Sequence, residues 1–223
     1  MSSIIVRNLS EQLVELVRDR ILSGKVAADL AIRQDALAAE LGVSKIPLRE
    51  ALTRLEQEGL IRSQANRGYF VRSLSTQEAE EVYALRLKLE PEAVALAAVE
   101  AKEEEQAAAR QALEALDRVT EAHGESVGAF NRAFHLALVR PAIRPITFSI
   151  IERLHILSER YVRKHLEPSG RDERANDEHR RMLETWLARD GKAAAALTRT
   201  HIEQTLKDLR RQLSAERKDK KPE

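Results

Sequence analysis

The stretch "GVSKIPLREALTRLEQEGL", residues 42–60, constrains the fold of this chain more than any other. Leu48, Ala51, Leu52 and Leu55 recur at i, i+3, i+4 and i+7, so they share one face of an amphipathic helix. The first turn breaks that pattern. Lys45, an apolar Ile46 well off the buried face, and Pro47 come before Arg49, which lies one turn beyond Lys45. Ser44 is a good N-cap, and a proline is tolerated in a first turn because the amide there has no helical partner. Such a helix is either an ordinary surface helix or one whose first turn touches a partner.

The flanking segments narrow the choice. Residues 10–23 read as a helix, with Asn8 or Ser10 as cap and Gly24 as stop. "KVAADLAI" reads as a linker, and "RQDALAAEL" as a short helix stopped by Gly42. Beyond Gly59, "LIRSQANRGYFVRSL" places short apolar runs around a polar turn ending in Gly68, the pattern of a two-stranded hairpin. Helix, helix, turn, helix and hairpin within about seventy residues outline a winged helix-turn-helix. In that motif the start of the second helix faces base edges, which puts Ser44, Lys45, Ile46 and Arg49 where a probe is needed. Lys and Arg donate to guanine acceptors or to phosphates, and an isoleucine meets a thymine methyl. The alternative is a solvated helix on which Ile46 is simply exposed. The net charge of the whole chain, +1, does not point to nucleic acid. Residues 45–72, however, hold six basic residues (Lys45, Arg49, Arg54, Arg62, Arg67, Arg72) against three acidic ones, enough for a local basic face.

From residue 74 the chain reads as helical throughout. "STQE" at 75–78 is a capping box with Ser75 at N-cap and Glu78 at N3. The helix it opens runs toward Glu90, where Pro91 is expected to kink or break it. Further helices are expected at about 102–122, 126–139, 142–166, 173–189 and 191–215. The expected fold class is mainly α, a winged helix-turn-helix with a small β-hairpin followed by an all-α antiparallel bundle. The expected domains are 1–73 and 74–215, with 216–223 as a frayed tail. There are no cysteines, which excludes disulfides and thiolate metal sites and fits a reducing cytoplasm. No apolar run approaches the roughly 20 residues that span a bilayer.

Five of the six histidines lie in the helical half after residue 124. Asn131 and His135 stand at i and i+4 and point the same way, while His179 and His201 lie 22 residues apart. None of these spacings defines a metal site by itself. A lone helical histidine is more often a core or surface residue. His155, flanked by apolar residues, is a candidate pocket residue, and His123 and His165 read as loop or surface residues.

"LAAELGVSKIPLREALTRLEQEGLI" followed by "NRGYFV" resembles the DNA-binding domain of GntR-family bacterial transcription regulators, over residues 10–73. Leu37-Ala38, Gly42-Val43-Ser44, Pro47, Arg49 to Leu52, Glu58-Gly59-Leu60 and the Arg-Gly wing tip carry the resemblance. It implies that Ser44, Lys45, Ile46 and Arg49 contact DNA and that Arg67 and Gly68 reach the minor groove. Two positions depart from the family pattern. Lys45 stands where Arg is usual and lacks its bidentate fork, and Ala28-Asp29 replaces a usual Pro-Gly.

Residues 76–213 resemble the all-helical FCD effector domain of the FadR subfamily, through "YALRLKLEPEAVALAA", Asn131 to His135, Glu178-His179 and His201. In relatives an Asp or Asn and three His bind a divalent transition metal whose coordination a small carboxylate completes. Carried over, the ligands are Asn131, His135, His179 and His201. Three neutral imidazoles suit Zn²⁺ or Ni²⁺. Asn131, where Asp is more usual, leaves the full metal charge to attract an anion. The alternative is a metal-free polar pocket. Arg86 occupies a place where the family often sets an Arg near the cavity, so it is either a carboxylate clamp or an ion-pair partner of Glu90 at i+4. The length of the second domain implies six helices rather than seven.

The expected protein is therefore a ligand-responsive transcription regulator of the cytoplasm, a homodimer on a palindromic operator, released by a small organic acid. A three-His metal-dependent hydrolase is the enzyme alternative. It lacks a His-Glu-x-x-His motif, and Glu178 points about 100° away from His179 on a helix. A purely helical interaction protein leaves the recognition helix and wing unexplained.

Overall fold

The computed structural model describes residues 2–26, 28–122, 127–142, 144–166 and 170–219, which fall into two compact units, Met1–Leu74 and Ser75–Glu223. His123 lies outside the described residues. In the first unit, α1 (Ser2–Leu22), α2 (Gln34–Leu41) and α3 (Lys45–Gln57) precede β1 (Ile61–Gln64) and β2 (Gly68–Val71). Leu48, Ala51, Leu52 and Leu55 on α3 are completely buried, each leucine worth about 1.5–3 kcal/mol of apolar burial. Gly42, at φ +65°, ends α2 and turns the chain into α3; a left-handed residue there costs glycine nothing.

Three local expectations give way in this unit. α1 starts at Ser2, so Ser10 is not its cap. Ser10 is buried within the helix, and its hydroxyl donates to Glu50 Oε2 at 2.8 Å, tying α1 to α3. The segment read as a linker joins the wing: Ile32 N donates to Tyr69 O at 2.8 Å and Asp29 N to Val71 O at 3.0 Å. Asp29 adopts φ +62°, the conformation a glycine would take most cheaply. Its carboxylate accepts from Ser73 Oγ at 3.0 Å.

The second unit holds α4 (Thr76–Glu100), α5 (Glu103–Glu121), α6 (Val127–Val139), α7 (Pro145–Leu166), α8 (Arg171–Leu187) and α9 (Gly191–Asp219), six α-helices among the described residues. A single 3-10 turn, Arg140–Ala142, precedes α7, which therefore begins later than residue 142. α9 runs on through 216–219, residues read as tail; 220–223 lie outside the described residues. The Ser75 hydroxyl accepts from Glu78 N at 3.4 Å, and Ser75 N donates to the Tyr161 hydroxyl at 3.1 Å.

Pro91 does not end α4. The helix continues for nine residues beyond it, and Pro91 is itself buried. The buried face carries straight through: Val82, Tyr83, Arg86 and Glu90 before it, Ala93, Val94, Ala97 and Ala98 after it. An interior proline costs about 3 kcal/mol. Burial of that uninterrupted face against α9 and α7 outweighs it. The core centres on Trp186, whose indole N–H donates to Leu138 O at 3.1 Å, with Phe134, Leu138 and Ile151 also fully buried.

Candidate DNA-reading face and buried histidine site

On the first unit, Ser44, Lys45, Ile46 and Arg49 all lie exposed on the outer face of α3, with Ile46 at 71%. Ser44 holds the N-cap position, yet its hydroxyl makes no capping hydrogen bond. Lys45 Nζ lies 2.5 Å from Asp35 Oδ1, with both side chains exposed; such surface pairs are worth little, so the ammonium is released cheaply. Arg49 Nε donates weakly to Gln34 Oε1 at 3.4 Å. Arg67 is exposed at the wing turn, its guanidinium 5.6 Å from the Phe70 ring centroid, and Gly68 follows at φ +86°. The contacts from Gln34 and Asp35 come from the start of α2, a feature the recognition-helix pattern did not single out.

The second unit gathers three distant histidines. α6 supplies His135, α8 His179 and α9 His201, and one ligand nitrogen from each lies within 4.8 Å of the others. The rings pack at centroid distances of 5.1, 5.2 and 4.8 Å. Asn131, one turn before His135, lines the same cavity, as does Arg86. His135 Nε2 and both ring nitrogens of His179 are buried with no hydrogen-bond partner among the described residues. Buried polar nitrogens without partners are costly, and a bound cation would satisfy them. Burial, reinforced by the neighbouring imidazoles, holds His135 and His179 well below the usual histidine pKa of 6.5, so both offer neutral lone pairs.

His201 is oriented from behind. Its Nδ1 lies 2.6 Å from Glu178 Oε2; with Nδ1–H donating to that carboxylate, the Nε2 lone pair is left for a ligand. Glu178 does point away from His179 along α8; what it meets is the next helix. Arg86 forms the ion pair with Glu90, Nε to Oε1 at 2.5 Å and an Nη to Oε2 at 3.2 Å, and also donates to Ser158 Oγ at 3.2 Å. His155 is not among the cavity-lining residues. It sits behind His135, stacked at 5.3 Å between centroids, with Nε2 3.2 Å from Glu90 Oε1.

His165 is neither loop nor surface. It lies 4% exposed in the last turn of α7, lines the cavity, and continues the face of Ile151, Leu154, Ser158 and Tyr161 at helical spacing. Burial, with help from Arg171, lowers its pKa to about 4. The cavity is small, with a volume of about 20 Å³. That is room for one water or ion.

A winged helix-turn-helix whose second helix starts with exposed residues, followed by a helical bundle that holds three clustered buried imidazoles, fits a DNA-binding regulator. Residues 9–71 match the bacterial regulatory proteins of the gntR family, and residues 81–204 match the FCD domain. The chain belongs to the GntR family of bacterial transcription regulators that carry an FCD domain. It is similar to the HTH-type transcriptional regulator BphR of Paraburkholderia xenovorans, 28% identical over 212 residues that cover 92% of this chain and 86% of that one. The HTH-type transcriptional repressor GlaR of Escherichia coli is 29% identical, covering 83% and 89% of the two chains. The fold is similar to that of E. coli McbR/YncC, with a TM-score of 0.80 at 24% identity over 92% of this chain and 98% of that one. BphR and GlaR are named as transcriptional regulators, as is the family, and nothing in these likenesses supports the hydrolase alternative. Among the described residues no helix is long and apolar enough to cross a membrane.

Proposed function

We propose that this protein is a cytoplasmic, effector-controlled repressor of the FadR type that binds a palindromic operator as a homodimer. Ser44, Lys45, Ile46 and Arg49 read the major groove, while Arg67 and Gly68 enter the minor groove. A two-fold operator doubles the contacts of a single recognition helix, which favours the dimer. In the helical domain, His135, His179 and His201 hold a divalent transition metal, Zn²⁺ or Ni²⁺, with Asn131 beside them. The observation that carries this reading is the set of unpartnered buried imidazole nitrogens with Glu178 behind His201.

The three ligand nitrogens lie within 4.8 Å of one another, close enough that one divalent ion would be held by all three imidazoles. The metal supplies a positive charge for an anionic effector, a small carboxylate, and Asn131 leaves that charge undiminished. Arg86 lines the cavity wall, but its two hydrogen bonds to Glu90 favour the ion-pair role over that of a carboxylate clamp. A ligand changes operator affinity only insofar as it binds the DNA-competent arrangement differently from the alternative.

The test pairs two functions in the intact protein. His135→Ala and His179→Ala are each expected to lose bound metal and the response to organic acids while still shifting duplex DNA from upstream of the protein's own coding region. Loss of DNA binding with retained metal would contradict the division of labour.

A further inference from the structure

We propose that the effector is a monocarboxylate with a short uncharged tail, and that Asp172 turns away acids carrying a second carboxylate. This rests on the reading of the site as a metal-assisted carboxylate receptor and adds the class of acid.

The charges around the cavity lead to it. Arg86 is answered by Glu90. Arg171 and Arg174, from the first turn of α8, both reach Asp208 Oδ2, at 3.1 and 2.5 Å. His165 is neutral at pH 7. Arg86, the one arginine lining the cavity among the described residues, is thus matched by Glu90, while Arg171 and Arg174 lie outside the lining and share Asp208, with Glu178 Oε1 3.4 Å from Arg174 Nε.

The remaining wall is uncharged, with one exception. Asn131 and Asn176 are nine-tenths buried and line the cavity, alongside apolar residues such as Leu116, Val127 and Ile202. Asp172 also lines it, and no ion pair or hydrogen bond engages its carboxylate among the described residues. Asp172 stands two residues past Gly170, the N-cap of α8, where free amides would otherwise attract an anion. Its negative charge sits in that first turn and opposes a second anion there.

An entering acid therefore finds one positive seat, the metal. A second carboxylate would be desolvated beside Asp172 with no cation to meet it, an arrangement that strongly disfavours ionised groups. A hydroxyl or methyl in the same place meets amides and apolar side chains. The free space as it stands takes a single ion, so the acid enters only as the helices part, and a short tail asks for the smallest opening.

The experiment is a calorimetric titration of intact, Zn²⁺-loaded protein with four-carbon acids of matched length: butyrate, 3-hydroxybutyrate, succinate and malate. The expected result is at least tenfold tighter binding of a monoacid than of either diacid. Asp172→Asn is expected to narrow that gap to about threefold by improving the diacids. Glu173→Gln, which removes the same charge from an exposed neighbour, is expected to leave it unchanged. Diacids binding wild type as tightly as monoacids would overturn the proposal, as would an unaltered gap in Asp172→Asn. If no acid binds metal-loaded protein, the carboxylate-receptor reading itself falls, and this inference with it.

Discussion

His201 Nδ1 and Glu178 Oε2 lie 2.6 Å apart across the α8–α9 packing, so a carboxylate on one helix sets the ring of a candidate ligand on the next. Partners of this kind are worth about 10–100-fold in metal affinity. Glu178→Gln is expected to weaken Zn²⁺ binding by that factor in a competition titration, with the helical circular dichroism unchanged. An affinity equal to wild type would mean the pair only joins the two helices.

Arg49 stands exposed on α3, off the buried leucine stripe. Arg49→Ala is expected to lower operator affinity by roughly 1–3 kcal/mol, the value of a good base or paired phosphate contact. A gel-shift titration reads it directly. Binding that does not change would remove α3 as the reading helix.

Gly191 opens α9 where the backbone of α4 passes very close. A Cβ there would sit 2.6 Å from Ala95 O, a backbone atom that cannot swing aside. Gly191→Ala is expected to cost about 1–3 kcal/mol through forced separation of the two helices. Denaturant unfolding followed by the single tryptophan, Trp186, reports this unit alone.

Acid should loosen the helical unit in two stages. His165 titrates near 4 in the fold against about 6.5 unfolded, so its contribution is complete above pH 6.5 and is lost as pH falls toward 4. His135 and His179 act in the same direction. Burial pushes Glu90 upward, but Arg86 and His155 overcome it and bring the carboxyl to about 2. Its contribution is present above about 4.5 and is lost toward pH 2. Trp186 fluorescence of chelator-treated protein should therefore show the melting temperature falling from pH 6.5 downward. A flat profile between 6.5 and 4.5 would contradict the buried neutral histidines.

What could be read from the sequence was what depends on neighbours along the chain. The leucine stripe of α3 follows from helical spacing alone, and so does the shared direction of Asn131 and His135. Glu178 meeting His201 was not legible, because the pair is set by how α8 packs on α9. The run of α4 through Pro91 was hidden for the same reason: a local rule about proline was overruled by a long buried face. His165 was misread because its polar neighbours at the end of α7 mask a face that faces inward. Ser10 looked like a cap because a serine before an apolar run is a local signal, whereas its partner Glu50 lies forty residues away.

His135, His179 and His201 are proposed to hold a metal in the helical unit. The most direct measurement is elemental analysis of protein purified without chelator, paired with melting curves in added Zn²⁺, Ni²⁺ and Mn²⁺. About one transition-metal ion per chain is expected, or a rise in melting temperature on metal addition through binding linkage, reversed by chelator without unfolding. Protein that carries no metal and melts at the same temperature with all three ions would contradict it, and leave His135, His179 and His201 as core residues or direct contacts to an effector.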